Sequence, residues 1–195
     1  MSNKVKYNLK NVHVAKQTYT PGTAGAAGTY TYGTPKAIKG AVSLSLDSEG
    51  EMNPFYADGI VFFRSVSNNG YSGDLEIALI PDWFREEILQ EIKDSNGVLV
   101  ETNANVDPVY FALLFEFDGD EKAIRYVFYN CCVSSRPTVE SSTKEENIEP
   151  GTETLSLSAD AREDGLIKGS SGGETTKATY DAWYESVYTP SIPNG

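Results

Sequence analysis

Apolar and polar side chains alternate along most of this chain, and the pattern changes to a helical period only once. Val5, Tyr7 and Leu9, then Val12 and Val14, predict a strand over 4–16 with a break near Lys10-Asn11. From Ala41 onward, Val42, Leu44 and Leu46 alternate with Ser43, Ser45 and Asp47, the mark of a half-buried strand whose second face is small and polar. Residues 60–66 (Ile-Val-Phe-Phe-Arg-Ser-Val) read as another strand. The turn Ser67-Asn68-Asn69-Gly70, with its Asn-Gly pair, then leads into a strand over 71–80. Further on, 109–117 and 123–133 flank Asp118-Gly119-Asp120-Glu121 as a hairpin. Phe111, Leu113, Phe115 and Phe117 share one face there. Tyr110, Ala112 and Leu114 occupy the other, so the strand is expected to be covered on both sides. Leu155 and Leu157 continue the alternation over 154–159. Their Leu-Ser-Leu phrase matches that at Leu44, as shared strand patterning and not as a repeat.

The helical period falls at 82–94. Phe84, Ile88, Leu89 and Ile92 lie on one face, and they are the expected packing face of a helix on the outside of the fold. Asp82 is the expected N-cap, Glu86 and Glu87 favour the positive helix start, and Asn96-Gly97 is the expected stop. The remaining segments are punctuation. Residues 17–40 are rich in Gly, Ala, Thr and Tyr and read as a flexible loop or arm ending in a strand. Residues 48–58 and 134–150 are polar connections, and 162–195 is a C-terminal segment with a glycine-rich start and the aromatic group Tyr180, Trp183, Tyr184 and Tyr188. Roughly eight strands and one helix predict a single mainly β domain over 1–195, a sandwich or barrel with one packed helix, extended loops and a terminal arm.

Composition narrows the function. With 195 residues, 16 Lys+Arg and 28 Asp+Glu, the formal charge is −12. That balance opposes binding nucleic acid by neutralising phosphates. No apolar run approaches the roughly 18 residues of a membrane span, so no membrane insertion is expected. Residues 1–8 show no apolar core of a secretory signal. Cys131 and Cys132 are neighbours and read as two small, buried or half-buried reduced thiols, since a bond between them would be strained and a zinc site needs more ligands.

Signals for chemistry are few. The single histidine, His13, has no second residue of its type, and it reads as structural. Metalloprotease, P-loop and dinucleotide motifs are absent. Gly70-Tyr71-Ser72-Gly73 departs from a nucleophile elbow at Asp74. The 118–121 turn lacks the further oxygen ligands of a calcium loop. No catalytic residue, cofactor or metal site is expected. An acidic β domain with long polar loops points instead to function carried by surfaces, through edge strands and arms.

Several phrases, in order, resemble the major tail (tail tube) proteins of long-tailed, non-contractile phages of Gram-positive bacteria. They are Leu44-Ser45-Leu46-Asp47 with Gly50-Glu51 and Phe55-Tyr56-Ala57-Asp58-Gly59; Gly70-Tyr71-Ser72-Gly73-Asp74-Leu75-Glu76 running into Ile80-Pro81-Asp82; Phe128-Tyr129-Asn130-Cys131 with Ser135-Arg136-Pro137 and Glu149-Pro150-Gly151-Thr152-Glu153-Thr154-Leu155; and the segment around Trp183-Tyr184. The resemblance implies a β-sandwich with one outer helix, hexameric rings whose strands join into one inner barrel, and rings stacked into a tube. It also implies a tape measure protein inside the tube during assembly, tail tip and tail terminator proteins at its ends, and later passage of DNA without specific binding. The expected location is the virion tail, after assembly in the host cytoplasm. On this reading Ser43, Ser45 and Asp47 are the candidate lumen lining, with acidic groups outnumbering basic ones on the wall. The loop carrying Glu49, Glu51, Phe55, Tyr56 and Asp58 is the candidate ring-stacking element, with 134–150 a second. A ring-forming tail terminator or distal tail protein of the same fold is the alternative, and a carbohydrate-binding β-sandwich using Tyr19, Tyr30 and Tyr32 is the alternative of another class.

Overall fold

The computed structural model describes residues 3–23, 27–103, 107–141, 143 and 150–190. In chain order its elements are β1 (Lys6–Thr20), β2 (Thr29–Tyr32), β3 (Lys36–Ala37), β4 (Ala41–Glu49), β5 (Met52–Ala57), β6 (Ile60–Val66), β7 (Gly70–Ile77), α1 (Asp82–Glu87), β8 (Ile92–Lys93), β9 (Leu99–Val100), β10 (Phe111–Gly119), β11 (Ile124–Val133), β12 (Glu153–Ala159), β13 (Lys168–Ser170) and α2 (Lys177–Asp181), which runs into a 3₁₀ turn, Ala182–Tyr184. The main sheet is antiparallel in the order β2-β1-β10-β11-β12-β7-β4, with β3 also on β1 and β13 also on β11. The sheet curls until β1 and β4 have Cα atoms within 8 Å, although they form no ladder. The result is a mainly β fold consistent with a β-sandwich, with a near-closed seam between those strands.

Two cores lie on opposite sides of the sheet. The larger gathers Val12 and Val14, Phe111, Leu113 and Phe115, Leu75 and Ile77, and Leu155 and Leu157 under Phe84, Ile88 and Leu89. The smaller is formed by Ala15, Ala112, Leu114, Val127 and Tyr129 and is capped by Trp183. The two-sided covering expected for the 109–117 strand is therefore real, and the C-terminal aromatic segment provides the second cover. Trp183 Nε1 donates to Tyr126 O at 3.3 Å. Beneath it the buried Glu116 accepts from Arg125 Nε (2.9 Å), Asn11 Nδ2 (2.7 Å) and Tyr184 OH (3.2 Å), so this carboxylate is fully bonded out of water. Burial first, and Glu116 second, push the Tyr184 hydroxyl pKa upward.

The strand expected to break near Lys10-Asn11 continues through two bulges. Asn8 and Asn11 take positive φ (56° and 51°), a conformation their short amide side chains tolerate, and the register with β10 shifts at both places. Within 17–40 the described residues include paired strands. Gln17–Thr20 pair with Thr29–Tyr32, Lys36–Ala37 pair with β1, and Ile38 is buried.

The helix is shorter than its period implied. It ends at Glu87, where Leu89 N reaches back five residues to Phe84 O and Gln90 turns the chain at φ 59°. Phe84, Ile88 and Leu89 are buried as expected, whereas Ile92 has left the helix for β8, pairs with Val100 and is 58% exposed. Pro81, not Asp82, takes the N-cap conformation, so no side chain caps the first turn. Asn96-Gly97 turn the small β8–β9 hairpin, where Asp94 accepts from Asn96 N and Val98 N at 2.9 and 2.8 Å. Among the described residues no helix is long and apolar enough to cross a membrane.

Candidate functional site

The two Leu-Ser-Leu strands turn out to flank β7. Leu44 and Leu155 both face Leu75, and Ser45 and Ser156 both face Asp74. Close packing at the centre depends on Gly73, because a Cβ there would collide with the Ser45 carbonyl oxygen. On the core side this arrangement buries Leu75, Leu155 and Leu157, with Leu44 and Leu46 packed against them. Val42, expected on that side, is instead 53% exposed. It is the extra residue of a bulge, since Ala41 and Ser43 oppose the consecutive residues Ile77 and Glu76.

On the other side of these three strands lies a continuous polar face. Ser43, Ser45 and Asp47 come from β4, Ser72, Asp74 and Glu76 from β7, and Thr154, Ser156 and Ser158 from β12. The face holds three carboxylates, six hydroxyls and no basic group. Three of its hydroxyls are tied to carboxylates within the sheet: Ser43 Oγ donates to Glu76 (2.8 Å), Ser156 Oγ to Asp74 (2.8 Å), and Ser72 Oγ to Glu49. The hydroxyls of Thr152 and Ser43, in that order, hold the Glu76 carboxyl below its ordinary range. The structure thus brings the sequence-chosen Ser43, Ser45 and Asp47 together with six residues that the alternation alone did not select. The matching Leu-Ser-Leu phrases were the available signal, because two strands with one pattern can share one face.

Residues 48–58 are not a loop. Glu49 ends β4, 52–57 form β5, and Asp58-Gly59, both at positive φ (52° and 78°), make the turn into β6. β5 and β6 pair only with each other. Nine steps separate Glu49 from Asp58, a reach of about 30 Å at strand spacing. Glu49, Glu51 and Asp58 are exposed, and so are Phe55 and Tyr56 at 60% and 64%. Met52, Ile60, Phe62, Phe63 and Val66 are each at least 60% exposed as well. Phe55 and Phe63 are cross-strand partners, and Phe62 is the unpaired residue of a bulge. An isolated two-stranded hairpin is marginal in water, and a contiguous exposed apolar patch marks an interaction surface. The strand expected over 60–66 exists, but it belongs to this hairpin and not to the core. The second ring-stacking candidate, 134–150, lies partly outside the described residues. Its described part carries the fully exposed Val139, and Arg136 bonds Leu89 O (2.5 Å) and pairs with Glu101 (3.1 Å).

The other candidate chemistry is structural. His13 Nδ1 is 2.8 Å from Asn11 O, and its ring stacks on Tyr184. Cys131 is fully buried and Cys132 half-buried, with burial raising both thiol pKa values. Tyr19 and Tyr30 pack against each other at a tilt of 36°, and their hydroxyls bond Glu163, so they form no open sugar platform.

A family model described as phage tail tube protein matches residues 3–187. Comparison with curated proteins returns no match.

Proposed function

The chain belongs to the phage tail tube protein family, and on that premise we propose that it forms hexameric rings which stack into the tail tube of a long-tailed, non-contractile phage. Membership makes it a structural protein of the virion tail that self-assembles into a tube, in a family that is not one of enzymes. The finer reading is ours. The β4-β7-β12 polar face lines the lumen, and β4, an edge strand, joins the neighbouring subunit within a ring. The β5–β6 hairpin stacks one ring on the next, and α1 lies on the outer surface. The tape measure protein occupies the tube during assembly in the host cytoplasm, tail tip and terminator proteins bound its ends, and DNA later passes without specific binding.

The observation that carries this reading is the hairpin. A fold with two cores of its own leaves seven large apolar side chains in solvent on one element, Met52, Phe55, Tyr56, Ile60, Phe62, Phe63 and Val66. Such a surface is explained by a partner. The polar face supports the conduit reading, because a wall with carboxylates and no ammonium or guanidinium group repels a polyanion. The test is negative-stain electron microscopy over a range of concentrations, with tail tip complexes added as seeds, on the full chain and on a variant in which 51–67 is replaced by a two-residue turn. The full chain is expected to give hollow tubes with a regular axial repeat, and the variant a folded subunit without tubes. Single rings from the seeded full chain would favour the terminator or distal tail alternative.

A further inference from the structure

Beside the seam between β1 and β4, the larger core is incompletely closed. A surface pocket of about 260 Å³ opens there. Leu44, Leu46, Tyr71, Phe117, Tyr126 and Phe128 supply its apolar lining. In size alone it is ample for an aromatic ring, since roughly 150 Å³ suffices for benzene. Lys6 and Lys168 sit at this pocket with their ammonium groups over aromatic faces, Lys6 at 5.2 Å from the Phe117 ring and Lys168 at 4.3 Å from the Tyr71 ring. Among the described residues neither makes an ion pair. In a chain with 28 acidic and 16 basic side chains, two cations left beside an aromatic pocket call for an acidic, aromatic occupant.

The chain itself carries such a group. The tip of the β5–β6 hairpin presents Asp58 at its turn and the bulged Phe62 four residues on, 71% exposed and therefore not seated in the pocket of its own subunit. We propose that the pocket at the β1–β4 seam of one subunit receives the Phe62 ring of a second copy, with Asp58 set against Lys168 and Lys6. The proposal rests on the reading of the hairpin as an inter-subunit contact and adds its receptor. Hairpin tip and pocket are different patches of one chain. Their union is head-to-tail and propagates from copy to copy instead of ending at a dimer, as a polymer requires. It also explains why the seam stays open: closing it in the monomer would fill the socket.

The experiment compares seeded assembly of the full chain with that of Phe62→Ala, Asp58→Lys, Lys168→Glu and the Asp58→Lys/Lys168→Glu double variant, all at positions exposed in the subunit, with Asp58→Asn as the control for strain at that positive-φ turn and thermal unfolding as the check on folding. Phe62→Ala is expected to raise the concentration needed for tubes by roughly 10- to 100-fold. Each charge variant is expected to weaken assembly, and the double variant to regain most of it. If all four variants assemble like the wild type while the 51–67 replacement forms no tubes, the pocket assignment is overturned and the hairpin contact stands. Normal tubes from that replacement overturn both. If Lys168→Glu impairs only tails made in the host and leaves tubes of purified protein unchanged, the pocket serves another tail component and the proposal fails.

Discussion

Two hairpins leave the main sheet, and they have opposite fates. The β1–β2 arm is fastened to its own subunit. Tyr32 OH donates to Tyr129 O at 3.0 Å, Arg162 donates to Tyr32 OH at 3.1 Å and lies 4.0 Å over the Tyr30 ring, and Tyr19 OH donates to Glu163 at 2.5 Å. Among the described residues the β5–β6 hairpin has no such clasp, and its aromatic rings are exposed. Both are short antiparallel pairs rich in aromatics. What separates them is the loop 160–166, which supplies Arg162 and Glu163 to the first and nothing to the second. An arm whose polar tips and rings are satisfied within the chain contributes to the fold. On the reading proposed above, an arm with apolar rings on both strands and no cover of its own holds that burial for assembly.

The sharpest way to break this comparison is to remove the stored burial. Phe55→Ser/Phe63→Ser deletes a cross-strand pair, and at about 1.5–3 kcal/mol per aromatic side chain buried on assembly, tube formation is expected to require a concentration on the order of 100-fold higher or more. Thermal unfolding of the subunit should remain within about 0.5 kcal/mol of wild type; a large loss of subunit stability would show that the hairpin is already part of the fold. The reciprocal change is Arg162→Met. It removes the cation from its tyrosine surroundings and leaves polar groups unpaired, so subunit stability should fall by about 1–3 kcal/mol, seen as a lower Tm, while the stable fraction still assembles. The smallest effect is one of pH. Burial raises the Tyr32 hydroxyl pKa to about 12 against the opposing Arg162, and the bond to Glu163 raises Tyr19 to about 12. Both protons are held more tightly in the folded arm than in the unfolded chain. The stability they contribute is complete below pH 10 and lost between about pH 10 and 12. Tyrosine absorbance and arm fluorescence should change in that window, whereas hairpin-dependent changes should not; ionisation of all arm tyrosines at their ordinary pKa would contradict the clasp.

The sequence made the strands legible where one face meets a core and the other meets water. β4, β7, β10, β11 and β12 all stand within a few residues of their expected places, because burial on one side forces period two. Period alone does not say which surface covers which face. The hydroxyl side of β4 was visible, but its continuation across Ser72, Asp74, Glu76 and Ser156 needs the strand order, which is long-range information. The hairpin was obscured for the opposite reason. Met-Asn-Pro-Phe-Tyr-Ala does not alternate, and Pro54 argues against a strand within a sheet. In a two-stranded ribbon every strand is an edge, so Pro54 is tolerated and neither face has to be polar until a partner arrives. Ile92 illustrates a third limit. Its spacing fits the helical period, but the helix ends at Glu87 and Gln90 turns the chain at positive φ, its side chain bonding Asp107 O, which no local pattern reveals.

The bonding on the β4-β7-β12 face has a mechanical corollary. Three of its serines, Ser43, Ser72 and Ser156, each spend their hydroxyl proton on a neighbouring carboxylate. What those groups turn outward is lone pairs, which match those of a phosphodiester and offer it nothing to grip. On the lumen reading proposed above, a polyanion drawn across this face would meet three hydroxyls whose protons are already engaged.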